Sequence, residues 1–256
     1  MMLVLRSIVF NLYFYCVSFG FLLIILPRLL WNINYAHNVC YKWGCIVAWG
    51  LKHICNIHIA VRGAEYIPKS ATLFACKHQS AMETTLLFMF VHRPSIILKK
   101  ELSYIPFTKY LIKGAGHITV DRKMGAQARV HIVDEAKNRI DNNQSVLIFP
   151  EGTRSLVNSA PRYKRGIFSI YTKVNTPCTP IALNSGLFWP KNSFLRHPGT
   201  VIFEFLAPIE AGLNENEFMT TLTTRIEGTV ARLVQEGVAE QSALKRKTHP
   251  RYNKPS

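Results

Sequence analysis

At 256 residues the chain is long enough for one sizeable α/β core, or at most two. Its 31 Lys+Arg against 15 Asp+Glu leave a net charge of +16, an affinity for polyanions that fits either nucleic acid or an anionic lipid surface. The 48% hydrophobic content and its placement select the lipid surface. No basic stretch interleaved with stacking aromatics and no recognition motif supports a nucleic-acid-binding protein. Six cysteines (Cys16, Cys40, Cys45, Cys55, Cys76, Cys178) show neither Cys-x-x-Cys spacing nor histidines at metal-ligand intervals. They read as reduced thiols, which favours a catalytic portion facing the cytoplasm.

The segment Ser7 to Pro27 carries no charged side chain over 21 residues. As a helix rising about 1.5 Å per residue it reaches roughly 30 Å, enough to cross a bilayer core. Tyr13, Tyr15 and Trp31 suit the headgroup level, and Arg6 and Arg28 flank the run. A cleaved signal peptide is opposed by the length of the run and by the lack of an Ala-x-Ala-like site after it. Membrane attachment follows, by a helix that either spans the bilayer or dips into one leaflet. Trp43, Ile46, Val47, Gly50, Leu51 and Ile54 then mark one face of a second helix. That helix either lies in the membrane interface or packs on the globular core.

From about residue 57 the pattern alternates between strand and helix. Strands are expected at Ile57–Val61, Ala71–Cys76, Ser95–Leu98, His117–Val120, Ser145–Phe149, Pro180–Leu183 and Thr200–Leu206. Helices are expected over about 81–91, 107–113, 125–139, 164–173 and 216–234. The fold class is therefore α/β: a mixed, largely parallel central sheet flanked by helices, with a membrane-embedded helical segment in front. The chain divides into anchoring helices (1–56), a catalytic domain (57–244) and a basic tail (245–256).

Three groups carry chemistry. His78 follows a strand, and Glu83 lies five residues on. Five residues of ideal helix rotate by about 140°, so His78 belongs to the strand-to-helix turn with Glu83 behind it. The carboxylate can then hold one imidazole nitrogen and leave the other as a base. The alternative is a histidine that merely caps the helix. Arg122 closes a strand after Gly116-His117-Ile118-Thr119-Val120-Asp121. Pro150-Glu151-Gly152-Thr153-Arg154 begins where another buried strand ends, at the sheet edge where α/β ligand sites lie. As a fixed string it arises by chance in about 1 in 10,000 chains of this size. Arg154 has the side chain best shaped to grip a phosphate. A fourth stretch, Thr179-Pro180-Ile181-Ala182-Leu183, reads as pocket wall.

These blocks, in this order over residues 76–183 and joined by Lys100-Glu101-Leu102, resemble the glycerolipid acyltransferase family. Within it they are most similar to the 1-acyl-sn-glycerol-3-phosphate acyltransferases. Three positions depart from the family pattern: Glu83 for the usual Asp, Gln79 where Asn is common, and His117 where an apolar residue is usual. Glu is one methylene longer but still accepts the imidazole proton. The resemblance implies direct acyl transfer from acyl-CoA or acyl carrier protein (acyl-ACP) to the sn-2 hydroxyl of lysophosphatidic acid, with His78 and Glu83 catalytic. It implies Arg122, Glu151, Gly152, Thr153, Arg154 and Lys100, with help from Lys99, around the acceptor. No metal or cofactor is implied, no Gly-x-Ser-x-Gly elbow announces an acyl-enzyme, and the expected partners are membrane lipids rather than nucleic acid. The expected location is the inner membrane, facing the cytoplasm. Another lyso-lipid acceptor, such as a lyso-ornithine lipid or a lysophospholipid, fits the same residues.

Overall fold

In the computed structural model, which describes residues 1–32, 35–105, 108–121, 123 and 125–248, strands and helices alternate as the sequence pattern requires. The strands are β1 (Ile57–Arg62), β2 (Leu73–Cys76), β3 (Ser95–Lys99), β4 (Ile118–Val120), β5 (Val146–Ile148), β6 (Cys178–Leu183) and β7 (Gly199–Phe205). They form one sheet in the order β1-β7-β6-β2-β5-β3-β4. Every neighbouring pair is parallel except β6 and β7, so the sheet is mixed and largely parallel.

A sheet of this kind needs cover on both faces. Successive side chains of a strand supply it by pointing in opposite directions. In β2, Phe74 and Cys76 enter one core while Leu73 and Ala75 enter the other. In β7, Val201, Phe203 and Phe205 join the first core and Ile202 the second. Helices α1 (Met2–Trp31), α2 (Ala36–Cys55) and α3 (Met82–Leu86) close the first core. Helices α5 (Gly125–Asp141), α6 (Gly166–Val174) and α7 (Glu215–Thr248) close the second, and α4 (Thr108–Gly114) leads into β4. Full burial of a Leu, Ile or Phe side chain contributes about 1.5–3 kcal/mol, and both clusters are built largely from such residues.

The second N-terminal helix packs on the core. Val39, Val47 and Leu51 are buried along it. Two glycines permit the close approach. A Cβ at Gly44 would lie 2.9 Å from the Thr85 carbonyl oxygen, and one at Gly50 would lie 2.2 Å from the Tyr13 ring. Tyr13 donates its hydroxyl to the Ile46 carbonyl (2.8 Å), and the Trp43 indole N–H donates to Ser18 Oγ (3.0 Å).

The first helix is fastened to the rest of the protein as well. Phe10 is fully buried with its ring edge-on to Trp189 at 5.5 Å. The Arg196 backbone N–H donates to Ser7 Oγ (2.9 Å), and its guanidinium donates to Asn11 Oδ1 (2.8 Å). The opposite side of α1 presents Leu5, Leu12, Phe19 and Leu23 to the outside, and Ile24 is exposed as well. Within Met2–Leu29 an 18-residue window has a mean hydropathy of 2.2, and the helix is long and apolar enough to cross a membrane.

Two elements differ from the sequence expectation. The helix after His78 keeps α geometry only to Leu86 and tightens into a 3₁₀ turn over Leu87–Met89. The Thr84 and Thr85 hydroxyls donate back to the Ala81 carbonyl, a local competition that disfavours continued α-helix. The last helix continues beyond Val234 to Thr248, so Lys245 stands on a helix rather than in a tail; residues 249–256 lie outside the described residues.

Candidate active site

The carboxyl ends of β2, β5, β3 and β4 share one edge of the sheet. Ala75 of β2 pairs with Ile148 of β5, so the residues that follow these two strands emerge side by side. His78 comes from the first exit and Phe149 to Arg154 from the second. The two rings stack, His78 on Phe149, with centroids 4.1 Å apart and planes inclined by 20°.

A backbone tie holds the exits together. Ser155 donates both its N–H (2.7 Å) and its hydroxyl (3.1 Å) to the His78 carbonyl. The conformation of the loop requires glycine at Gly152, whose φ is +66°; a Cβ there would also meet the Lys164 ammonium at 3.1 Å. Such a φ is strained for other residues.

Glu83 is fully buried behind His78. Its Oε1 accepts the N–H groups of Gln79 (2.6 Å) and Ser80 (2.8 Å) and lies 3.7 Å from His78 Nδ1. The carboxylate therefore shapes the turn first and orients the imidazole second, since 3.7 Å exceeds a direct hydrogen bond. His78 Nδ1 is buried against this side, which leaves Nε2 as the nitrogen for the cleft. The unusual Gln79 has a purpose here: its side-chain oxygen accepts the Gly186 N–H at 3.1 Å. The unusual His117 is half-buried, and its Nδ1 accepts the Ile96 N–H at 3.1 Å. Burial holds its imidazole neutral, with a pKa pushed down to about 3.

His78 opens onto a cleft of about 1010 Å³. Gly152, Thr153 and Arg154 line it beside the histidine, as do Lys99, Arg129, Lys164, Arg165 and Lys191. Its deeper wall is apolar: Ile97 and Ile148 from the sheet, Ile132 and Val133 from α5, Ile167 and Ile170 from α6. A cationic mouth over an apolar floor suits an amphiphile with an anionic head. Lys191 also donates to the Arg154 carbonyl (2.7 Å), fixing the backbone that carries the guanidinium.

Glu151 does not line the cleft. It is withdrawn from solvent, with Oε1 2.5 Å from the Lys77 ammonium. Burial raises its pKa while Lys77 acts in the opposite direction. Lys100 pairs with Asp121 at 3.2 Å and lines a neighbouring cavity of about 260 Å³ that shares Val120 and Ala128 with the main cleft. Arg122 lies outside the described residues. The sequence reading missed Lys77, Ser155, Lys164, Lys191 and Glu227. Lys77 and Ser155 adjoin the two motifs and were within reach; Glu227, on a distant helix, carries no sequence signal.

The family model for acyltransferases matches residues 58–184, which hold all of these motifs. A 1-acyl-sn-glycerol-3-phosphate acyltransferase of Pseudomonas aeruginosa is 30% identical over 213 residues, covering 83% of this chain and 81% of the relative. The chain belongs to the acyltransferase family. An enzyme of the same name from Cocos nucifera is 27% identical over 77% of this chain and 63% of its own length. The fold is shared with the crystal structure of the 1-acyl-sn-glycerophosphate acyltransferase of Thermotoga maritima. That likeness has a TM-score of 0.76 at 23% identity, over 90% of this chain and 96% of that one.

Proposed function

We propose that the chain is a membrane-bound lysophosphatidate acyltransferase. It moves an acyl group from a thioester, acyl-CoA or acyl-ACP, to the sn-2 hydroxyl of lysophosphatidic acid and releases phosphatidic acid. The observation that carries this reading is one cleft holding both the free edge of His78 and the Arg154 clamp, floored by apolar side chains.

His78 Nε2 takes the hydroxyl proton as the oxygen attacks the thioester carbonyl. The tetrahedral intermediate then expels the thiolate, which recovers the proton from the imidazolium. A positioned base contributes about 10²- to 10⁴-fold, so much of the acceleration falls to orientation and to charge stabilisation by the cationic mouth. Arg154, Lys99 and Lys164 supply positive charge for the acceptor phosphate and for the anionic head of the donor.

The anchor suits such a substrate. Contacts at Ser7, Phe10, Asn11, Tyr13 and Ser18 tie α1 to the rest of the protein. Its open apolar side therefore faces one leaflet, and the acceptor need not leave the bilayer to reach the cleft. The active face is the cytoplasmic one.

Purified enzyme with a labelled acyl thioester, offered a panel of lyso-lipids, tests the assignment. Preference for lysophosphatidate supports it. Equal use of lyso-ornithine lipid or lysophosphatidylcholine removes the assigned acceptor while leaving the acyl-transfer chemistry. Parallel assays with CoA and carrier-protein thioesters decide the donor.

A further inference from the structure

The residue before the general base is a lysine whose side chain is only 2% exposed. Its ammonium stands between two carboxylates, Glu151 Oε1 at 2.5 Å and Glu227 Oε1 at 2.8 Å. The Tyr163 hydroxyl donates to the same Glu227 oxygen at 2.8 Å. Three regions of the chain thus meet at one cation: the turn after β2, the loop after β5, and α7, some 150 residues away in sequence.

We propose that Lys77, gripped by Glu227 and Tyr163, is the positioning residue that seats the Glu151–Arg154 loop against His78, aligning the base with the phosphate clamp. The inference rests on the acyl-transfer reading of the cleft.

The backbone leaves Lys77 little freedom. Its N–H donates to the Ile181 carbonyl at 3.0 Å, so the cation is fixed relative to β6 and to the His78 peptide that follows. Glu151 belongs to the same short loop as Gly152 and Arg154, both on the cleft wall. A buried carboxylate that meets its cation in this way pins the loop at one end, and the Ser155 bonds to the His78 carbonyl pin it at the other.

Removing the cation leaves the buried Glu151 carboxylate facing the half-buried Glu227 carboxylate with no cation between them, which is unfavourable. The ionisable groups acting on Glu151 besides Lys77 include Glu227, Tyr163, Cys76 and, beyond Cys76, Glu83. The Lys164 ammonium approaches the adjacent Gly152 on the cleft side, whereas Lys77 is the cation that the Glu151 carboxylate touches. Burial already pushes the Glu151 carboxyl above its ordinary range. Without Lys77 the loop has lost that ion pair at every pH, and Glu151 takes up a proton at higher pH, which relieves its repulsion with Glu227.

The test uses the full chain carrying Lys77→Met, Glu227→Gln or Tyr163→Phe. Steady-state kinetics are measured across pH, and carbethoxylation of His78 by diethyl pyrocarbonate is followed by peptide mass spectrometry. Misplacing reacting groups by about 1 Å costs on the order of 100-fold, so Lys77→Met is expected to lower kcat about 10- to 100-fold. Its KM for the donor should change little. It should also gain a limb in which activity falls as pH rises and the unpaired Glu151 ionises against Glu227, and that limb should vanish in Lys77→Met/Glu151→Gln, where the amide cannot titrate. Glu227→Gln and Tyr163→Phe, which keep the Lys77–Glu151 pair and preserve the fold if Lys77→Met does not, should lower kcat several-fold without the new limb. His78 should label faster in Lys77→Met, and in Glu227→Gln to a smaller degree.

Variants that lose thermal stability but keep the wild-type kcat, pH profile and His78 labelling rate overturn the proposal. Labelling needs no acceptor, so it reads Lys77 whichever lyso-lipid the enzyme uses. Failure of the acceptor panel overturns the assigned substrate; unchanged labelling overturns the role of Lys77.

Discussion

Along α1, apolar side chains such as Leu5, Leu12, Phe19 and Ile24 stand in the open, whereas at the sheet edge a lysine and a glutamate are withdrawn into protein. Each arrangement is costly taken alone. Open apolar surface loses the hydrophobic term, and buried charge loses hydration. Each also has a compensating partner of a different kind, a lipid surface for the helix and mutual ion pairing for the charges. The anchor depends on area and tolerates small displacements. The sheet edge depends on distances of 2.5 to 3.7 Å between named atoms and tolerates very few.

The largest expected effect is at the histidine. His78→Ala should reduce turnover by about 10²- to 10⁴-fold while the unfolding transition stays where it is, because the side chain contributes one stacking contact and no buried hydrogen bond that the fold requires. Retention of most of the wild-type rate would remove the imidazole from the base role.

The two sides of α1 should separate cleanly. Phe10→Ala removes a fully buried ring packed on Trp189 and should cost about 3–5 kcal/mol of stability, measured by chemical unfolding in detergent. Leu12→Glu alters an open position on the other side. It should leave that midpoint unchanged and weaken sedimentation with anionic vesicles. Comparable losses of stability in both variants would contradict a helix with one protein face and one lipid face.

A smaller effect is set by pH. His117 is neutral in the fold, with its pKa pushed down to about 3, and burial lowers His37 to about 4. In the unfolded chain both titrate near 6.5. As pH falls below about 6.5 the unfolded state gains protons that the native state refuses, so stability is lost progressively toward pH 4 and fully kept above 7. For His117 the slope reaches roughly 1.4 kcal/mol per pH unit. Thermal melts at pH 7 and pH 5 measure it, and His117→Gln, which retains an acceptor for the Ile96 N–H, should flatten the difference.

The smallest change is expected from Lys100→Ala. Lys100 faces Asp121 at the side cavity, while Lys99 lines the main cleft. Lys99→Ala should therefore raise the acceptor KM more than Lys100→Ala does. The reverse order would return Lys100 to the principal phosphate contact.

The strands were readable because each carries a short apolar run bounded by turn residues, and the motifs because they begin where those runs end. The same signals place His78 and Arg154 at one edge of the sheet. The roles within the site were less legible. Glu83 was expected to bind the imidazole, yet two backbone N–H groups already occupy its nearer oxygen. Glu151 was expected beside the substrate, and it faces inward to Lys77 instead. Both outcomes depend on which way a carboxylate turns: Glu83 turns to N–H groups of its own turn, and Glu151 turns to Lys77, itself held by Glu227 far along the chain. Spacing along one chain does not encode that.

The most direct test of the account is a comparison of lysophosphatidate with the matching monoacylglycerol, which lacks only the phosphate, in wild-type enzyme and in Arg154→Ala. Charge-assisted hydrogen bonds contribute about 1.5–3 kcal/mol, so wild type should prefer the phosphate-bearing acceptor by at least about 10-fold in kcat/KM. That preference should largely collapse in Arg154→Ala while the donor KM stays near its wild-type value. An undiminished preference in the variant would show that the phosphate is held elsewhere and would contradict a shared cleft for the base and the clamp.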